Sequence, residues 1–167
     1  MICDPWKGAF TGGGVTFAQS AFTPGQTDVP GEPQNYLTID VSGQTAASDR
    51  ALVQNIIEDV RTLAGQTATL SFYAKRVSGA GDLSVELVQV FNSATPTVTG
   101  IGAAKKPLTT AWQRFTHRIA VPQVSGATIG GGGGYDSLGA VFWASAGSSF
   151  DARTASLGLQ TVKIALA

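Results

Sequence analysis

The sequence is poor in the residues that carry most protein chemistry. Its 167 residues include one cysteine, Cys3, and one histidine, His117. A lone thiol excludes a disulfide framework within the chain, and this Cys/His content excludes a zinc site of the usual type. Charged residues make up only 13%, with eleven cations balancing eleven anions. The cations are scattered, and only Lys75–Arg76 and Lys105–Lys106 are adjacent. A nucleic-acid binder would carry a basic face, so none is expected as a partner. No apolar run approaches the ~18–20 residues a helix needs to cross a bilayer, so no membrane insertion is expected. The start, MICDPWKGAF, lacks the cationic-then-apolar order of a secretory signal.

Catalytic pairs are equally scarce. Glycoside hydrolysis needs two carboxylates roughly 5–10 Å apart across a sugar. The acids here are spread along the chain, and the pair Glu58–Asp59 would point to opposite faces of a strand. His117 falls in the apolar register of its segment, with no serine or cysteine placed as a partner. The sequence therefore predicts no catalytic residue and no enzyme.

Glycine is abundant instead, at 21 residues, and hydrophobic residues reach 43%. Turn formers interrupt the chain often enough to leave only short elements. Between them the apolar residues alternate with period two. In QTATLSFYAKR, Ala68, Leu70, Phe72 and Ala74 share one face, while Thr67, Thr69, Ser71, Tyr73 and Lys75 share the other. Leu63-Ala64-Gly65 precedes this strand as a turn. The same alternation runs through Leu37, Ile39 and Val41, through Leu83, Val85 and Leu87, through Phe115, His117, Ile119 and Val121, and through Leu138, Ala140, Phe142 and Ala144. Val162, Ile164 and Leu166 share a face that Leu157 and Leu159 do not, which a bulge near Gln160 reconciles. Residues 51–63 read as a strand followed by a short helical turn from 58 to 63. Residues 23–34, 93–110 and the five glycines 130–134 read as loops. The expectation is one all-β domain over 1–167, an antiparallel β-sandwich of jelly-roll type with about 8–10 strands.

Five segments in order carry a resemblance: CDPW with Asp4 and Trp6, VQNIIEDVRTLAGQTATLSFYAKR, LSVELVQVFNS, KPLTTAWQRFTHRIAVPQVSG and YDSLGAVFWASAG. Together they resemble bacteriophage and prophage virion proteins of the tail-fibre type, whose domain is similar to a carbohydrate-binding-module jelly roll. Pro5 stands where that family has arginine, and the chain ends KIALA rather than Gln-Leu-Glu-x-Gly, so the expectation is a fragment of a longer virion protein or a divergent copy. The resemblance implies a non-enzymatic structural protein of the virion, assembled in the host cytoplasm. It would belong to a tail fibre or similar appendage that attaches to host surface glycan. Its implied partners are other virion proteins and copies of itself, most naturally as a trimer. The alternative is a capsid-decorating protein of the head surface whose faces bind capsid or neighbouring subunits.

Sugars stack on aromatic rings and bond to planar polar groups. Tyr73 and Trp143 lie on the outward parity of their strands, and with Gln89, Arg114 and Tyr135 they form the candidate glycan-binding set. Jelly rolls of this type often hold a structural Ca2+, for which Asp4 and Asp151 are the candidate ligands. Val88, Val90, Val141 and Ala146 take outward apolar positions and are expected to be exposed until a partner covers them.

Overall fold

The computed structural model describes residues 6–79, 81–130, 135–153, 157–158 and 160–166, with only the backbone for Glu58, Asp151 and Ala152. Ten strands form in these residues: β1 (Trp6–Thr11), β2 (Gly14–Ala21), β3 (Asn35–Ser42), β4 (Arg50–Glu58), β5 (Thr67–Ser78), β6 (Asp82–Val90), β7 (Val98–Pro107), β8 (Gln113–Ala120), β9 (Ser137–Ala146) and β10 (Gln160–Leu166). They make two five-stranded sheets, β1-β4-β9-β6-β7 and β2-β3-β10-β5-β8. Every pairing is antiparallel. The chain passes repeatedly from one sheet to the other, which is the winding of a jelly roll.

Period-two patterning sets the register. Leu37, Ile39 and Val41 from β3, Phe72 and Ala74 from β5, Leu138, Ala140 and Phe142 from β9, and Val162 and Ile164 from β10 are all buried between the sheets. Phe72 of the second sheet meets Phe142 of the first edge-on at 5.1 Å, and Trp6 packs on Phe142 at 5.7 Å. Burying each of these phenylalanines contributes about 1.5–3 kcal/mol. A one-residue slip would turn the whole set to solvent, so the pattern fixes the pairing.

The turn before β5 is as expected. Leu63 and Gly65 have φ of 64° and 72°, and Thr62, Ala64 and Gln66 each donate to a carbonyl three residues back. β4 then stops at Glu58, as the strand-then-turn reading of 51–63 requires. β10 shows no bulge of its own near Gln160: it pairs with β3 without a shift, the register shift at Thr161–Val162 places the extra residue, Val77, in β5, and Leu159 lies outside the described residues.

Two further expectations need correction, and one unassigned stretch gains its elements. Residues 93–110 are not a loop, because β7 occupies Val98–Pro107 and pairs with β6. Residues 6–21, which the alternation did not assign, form β1 and β2, the outer strands of the two sheets. Val88, Val141 and Ala146 are buried and Val90 is half-buried. They pack with Leu52, Trp143 and Phe150 into a second small core on the outward face of the first sheet. Its cover is the chain's own 3-10 segment, Ser148–Arg153, rather than another subunit. β9 is consequently buried on both faces. Of the glycine run, residues 131–134 lie outside the described residues.

Candidate functional site

The outward face of the second sheet brings together the largest set of aromatic and cationic side chains. Alternation turns Tyr36 of β3, Lys163 of β10, Tyr73 and Lys75 of β5, and Arg114 and Arg118 of β8 to this side, opposite their buried neighbours. Register then sets Lys163 against Lys75, Tyr73 against Arg114, and Thr69 against Arg118. Two further rings come from outside the strands. Phe22 follows β2, held by its N–H donating to the Gln34 carbonyl at 2.9 Å. Trp112 precedes β8 in a loop fixed by Arg76 N–H donating to the Thr109 carbonyl at 2.8 Å, and by Thr109 N–H donating to Gln113 Oε1 at 3.2 Å.

Phe22, Tyr36 and Trp112 form a closed triangle of half-buried rings, with centroids 4.8, 5.3 and 5.7 Å apart. The two lysines sit over these rings, Lys163 Nζ 4.5 Å from the Tyr36 centroid and Lys75 Nζ 5.3 Å from that of Trp112. Lys163 also donates to the Tyr36 hydroxyl at 3.0 Å, and this bond pulls the Tyr36 pKa below that of an ordinary phenol. Two open cavities each touch one ring of the triangle. One of about 200 Å³ opens at the end of the sandwich between the inward-facing Trp6, Gln19, Leu37 and Ile164, and reaches the triangle only at Tyr36. Another of about 330 Å³ lies between Phe22 and the loop through Gln26 and Glu32. Rings with polar edges beside concave space are what sugar recognition uses.

The outward face of the first sheet is different in kind. Trp143 is 5% exposed and packs against Phe150 at 5.3 Å. Arg153 lies over Trp143 and pairs with Glu86 through Nε at 2.7 Å. Burial pushes the Glu86 carboxyl up from its ordinary pKa, and the Arg153 charge opposes that rise. The 3-10 segment covers the β9-β6-β7 part of this face.

The structure brings two of the five candidate glycan residues together. Tyr73 and Arg114 are cross-strand neighbours on the second sheet, where an Arg114 guanidinium nitrogen lies 3.5 Å from Ser71 Oγ. Gln89 is 1% exposed and donates to the Pro122 carbonyl at 3.0 Å, inside the sandwich. Trp143 lies under the 3-10 segment, and Tyr135 is 94% exposed just before β9. Asp4 and the side chain of Asp151 lie outside the described residues. Among the described residues no group of three or more His, Cys, Asp or Glu is placed to hold a metal. Asp59 bonds to Arg61, which holds its carboxyl down at about 2. His117 Nε2 lies 2.7 Å from the Gly102 carbonyl and ties β8 to β7. Sequence reasoning missed Phe22, Tyr36, Trp112, Lys75 and Lys163 as a group. The outward parity of Tyr36, Lys75 and Lys163 was there to read, but nothing local to Phe22 or Trp112 shows that their loops turn them over the same face.

No protein-family model and no curated protein matches this chain. Solved structures do. A family 11 carbohydrate-binding module from Clostridium thermocellum, in complex with a β-1,3-1,4-mixed-linked tetrasaccharide, matches over 98% of this chain and 87% of its own, at 11% identity and a TM-score of 0.56. The C-terminal family 22 carbohydrate-binding module of Clostridium thermocellum Xyn10B matches over 98% and 83%, at 15% identity and 0.52. The CBM22-1 xylan-binding domain of Paenibacillus barcinonensis Xyn10C matches over 99% and 84%, at 13% identity and 0.52. The fold is a jelly roll similar to those of carbohydrate-binding modules. At these identities the likeness is one of fold.

Proposed function

We propose that this chain is a non-enzymatic glycan-binding jelly roll of a bacteriophage virion, part of a tail fibre or similar appendage, which attaches to host surface glycan through the outward face of its second sheet. The observation that carries the reading is the Phe22–Tyr36–Trp112 triangle beside the open cavity at Phe22, with Tyr73 and Arg114 on the same face. Similarity of fold to carbohydrate-binding modules supports the glycan half. The virion setting, its assembly in the host cytoplasm and a trimeric state rest on the order of motifs from CDPW to YDSLGAVFWASAG. Binding requires only ring stacking and hydrogen bonds, so no reducing sugar is expected to be released from a bound polysaccharide.

Head-surface decoration is the second reading. The outward apolar positions that favoured it are covered by residues 148–153, so the ring triangle would have to be its subunit contact. A panel of host and plant polysaccharides in affinity electrophoresis, with sedimentation of the unliganded chain, separates the two. Retardation that is lost in Trp112→Ala supports attachment. No retardation by any glycan, with self-association that is lost in the same variant, supports a structural contact.

A further inference from the structure

The cations that look scattered in the sequence are sorted by the fold. The outward face of the second sheet holds Lys75, Lys163, Arg114 and Arg118, and one carboxylate, Asp40. The chain as a whole has eleven of each sign, so four to one on a single face is a strong local excess. Asp40 is bonded by Thr16 Oγ1 at 3.5 Å, and it lies four positions along β3 from Tyr36, about 14 Å along the strand. Glu32 borders the face from the loop beyond Phe22. Among the described residues none of the four cations is ion-paired, since the two ion pairs are Arg61–Asp59 and Arg153–Glu86.

The arrangement also works against the sheet that carries it. Lys163 and Lys75 are direct cross-strand partners, and like charges so placed destabilise a sheet. The Tyr36 and Trp112 rings moderate that repulsion without neutralising it. Departures from local rules of this sort are expected where a ligand completes the balance. Hydroxyl groups stand among the cations, with Thr38 opposite Lys163 and Ser71 opposite Thr116.

We infer that the glycan this face takes is acidic: a polysaccharide bearing carboxylates, such as a polyuronate, its acid groups lying along the Lys163–Lys75 pair and the Arg114–Arg118 row while a sugar face rests on the ring triangle. This rests on the glycan-binding reading above and narrows it. A single-stranded nucleic acid offers the same charge, but stacked bases need ring faces open in series. Here Phe22 and Trp112 meet Tyr36 at 67° and 71°, edge to face.

Polygalacturonate and its fully methyl-esterified form share a backbone and differ in charge, so they isolate the point. Affinity electrophoresis of the whole chain in gels containing either one, or neutral mixed-linkage β-glucan, is the experiment. The expected result is binding to polygalacturonate about tenfold or more tighter than to its ester. It should weaken steadily as salt rises from about 0.02 to 0.5 M and the Debye length shrinks. Lys75→Gln/Lys163→Gln should lose about tenfold, while Lys7→Gln, on the exposed β1 of the other sheet, should lose nothing. Polygalacturonate should also raise the melting temperature of the unmodified protein, a readout that needs no variant to fold. Equal binding of the acid and its ester, lost in Trp112→Ala, overturns the acidic assignment and leaves glycan binding standing. Failure of every polysaccharide removes both. Acid-selective binding that persists in the double lysine variant, or tighter binding of a single-stranded oligonucleotide than of any polyuronate, overturns the inference.

Discussion

Glu86 points outward from β6 yet is 2% exposed, because residues after β9 fold back over it and bring Arg153 against its carboxylate. A buried pair of this kind adds little net stability, but removing one partner strands the other charge in a dry site. Arg153→Leu is therefore expected to cost about 2–4 kcal/mol at pH 8, the partial exposure of Arg153 keeping it toward the low end. The pH dependence follows from the direction of the shift. Burial already raises the Glu86 pKa, and Arg153 is the charge that opposes it. Without Arg153 the folded state binds a proton more readily still than the unfolded chain. Stability is then fully present below the unfolded carboxylate pKa and falls as pH rises through the folded one. Urea denaturation of the variant should show recovery on moving from pH 8 toward pH 5. The double variant Glu86→Gln/Arg153→Leu should be flat over the same range. A pH-independent loss in the single variant would mean that Arg153 acts through packing on Trp143 alone.

At the scale of strands, β7 shows where alternation stops being legible. Val85 and Leu87 of β6 face Ala104 and Ile101, and Leu87 and Gln89 face Ile101 and Val98. Each interval gives β7 one residue more than β6, so the strand carries two bulges. Gly102 and Gly100, with φ of 62° and 75°, sit in them. Two inserted residues break period two twice within TVTGIGAAKKP, so a paired strand reads as a loop. Where no bulge intervenes, as in β3 or β8, the inward face could be read residue by residue. The outward burial of β9 could not be, because it depends on a segment that reaches it only in the fold. Gly102 makes the bulge testable. A Cβ there would lie 2.6 Å from Ile119 Cγ2 at a left-handed φ. Gly102→Ala should cost about 1–3 kcal/mol in urea denaturation. His117→Ala, which removes the contact to the Gly102 carbonyl, should cost about 1 kcal/mol. If Gly102→Ala proved neutral, β7 could not be bulged at that residue.

Across the molecule, the alternating pattern foretold two layers but could not say which strands neighbour one another. Among the described residues only β2–β3 and β6–β7 pair with a sequence neighbour; β4 pairs with β9, β5 with β8 and β10, and β3 with β10. Such pairings are non-local, and the candidate face inherits the difficulty: Phe22, Tyr36, Lys75, Trp112 and Lys163 meet only after distant segments have been joined. The same topology makes stability a property of the whole. Neither sheet has a core of its own between the layers, since Phe72 of one is packed against Phe142 of the other. Unfolding should therefore be a single transition, and the tryptophans allow a direct check. Trp112 reports on the outward face of the second sheet and Trp143 on that of the first. Two variants that keep only one of these, with the remaining tryptophans changed to phenylalanine, should each give a fluorescence transition in urea that coincides with the same variant's circular-dichroism transition. Phe142→Ala, introduced into each, should cost about 3–5 kcal/mol and move both curves together. Refolding should be slow for the chain length, in milliseconds to seconds, because loop closure precedes nearly every pairing. A Trp143 signal lost well before the circular-dichroism signal of the same variant would show the first sheet and its 3-10 cover melting alone, and a sandwich bound through one shared core does not permit that.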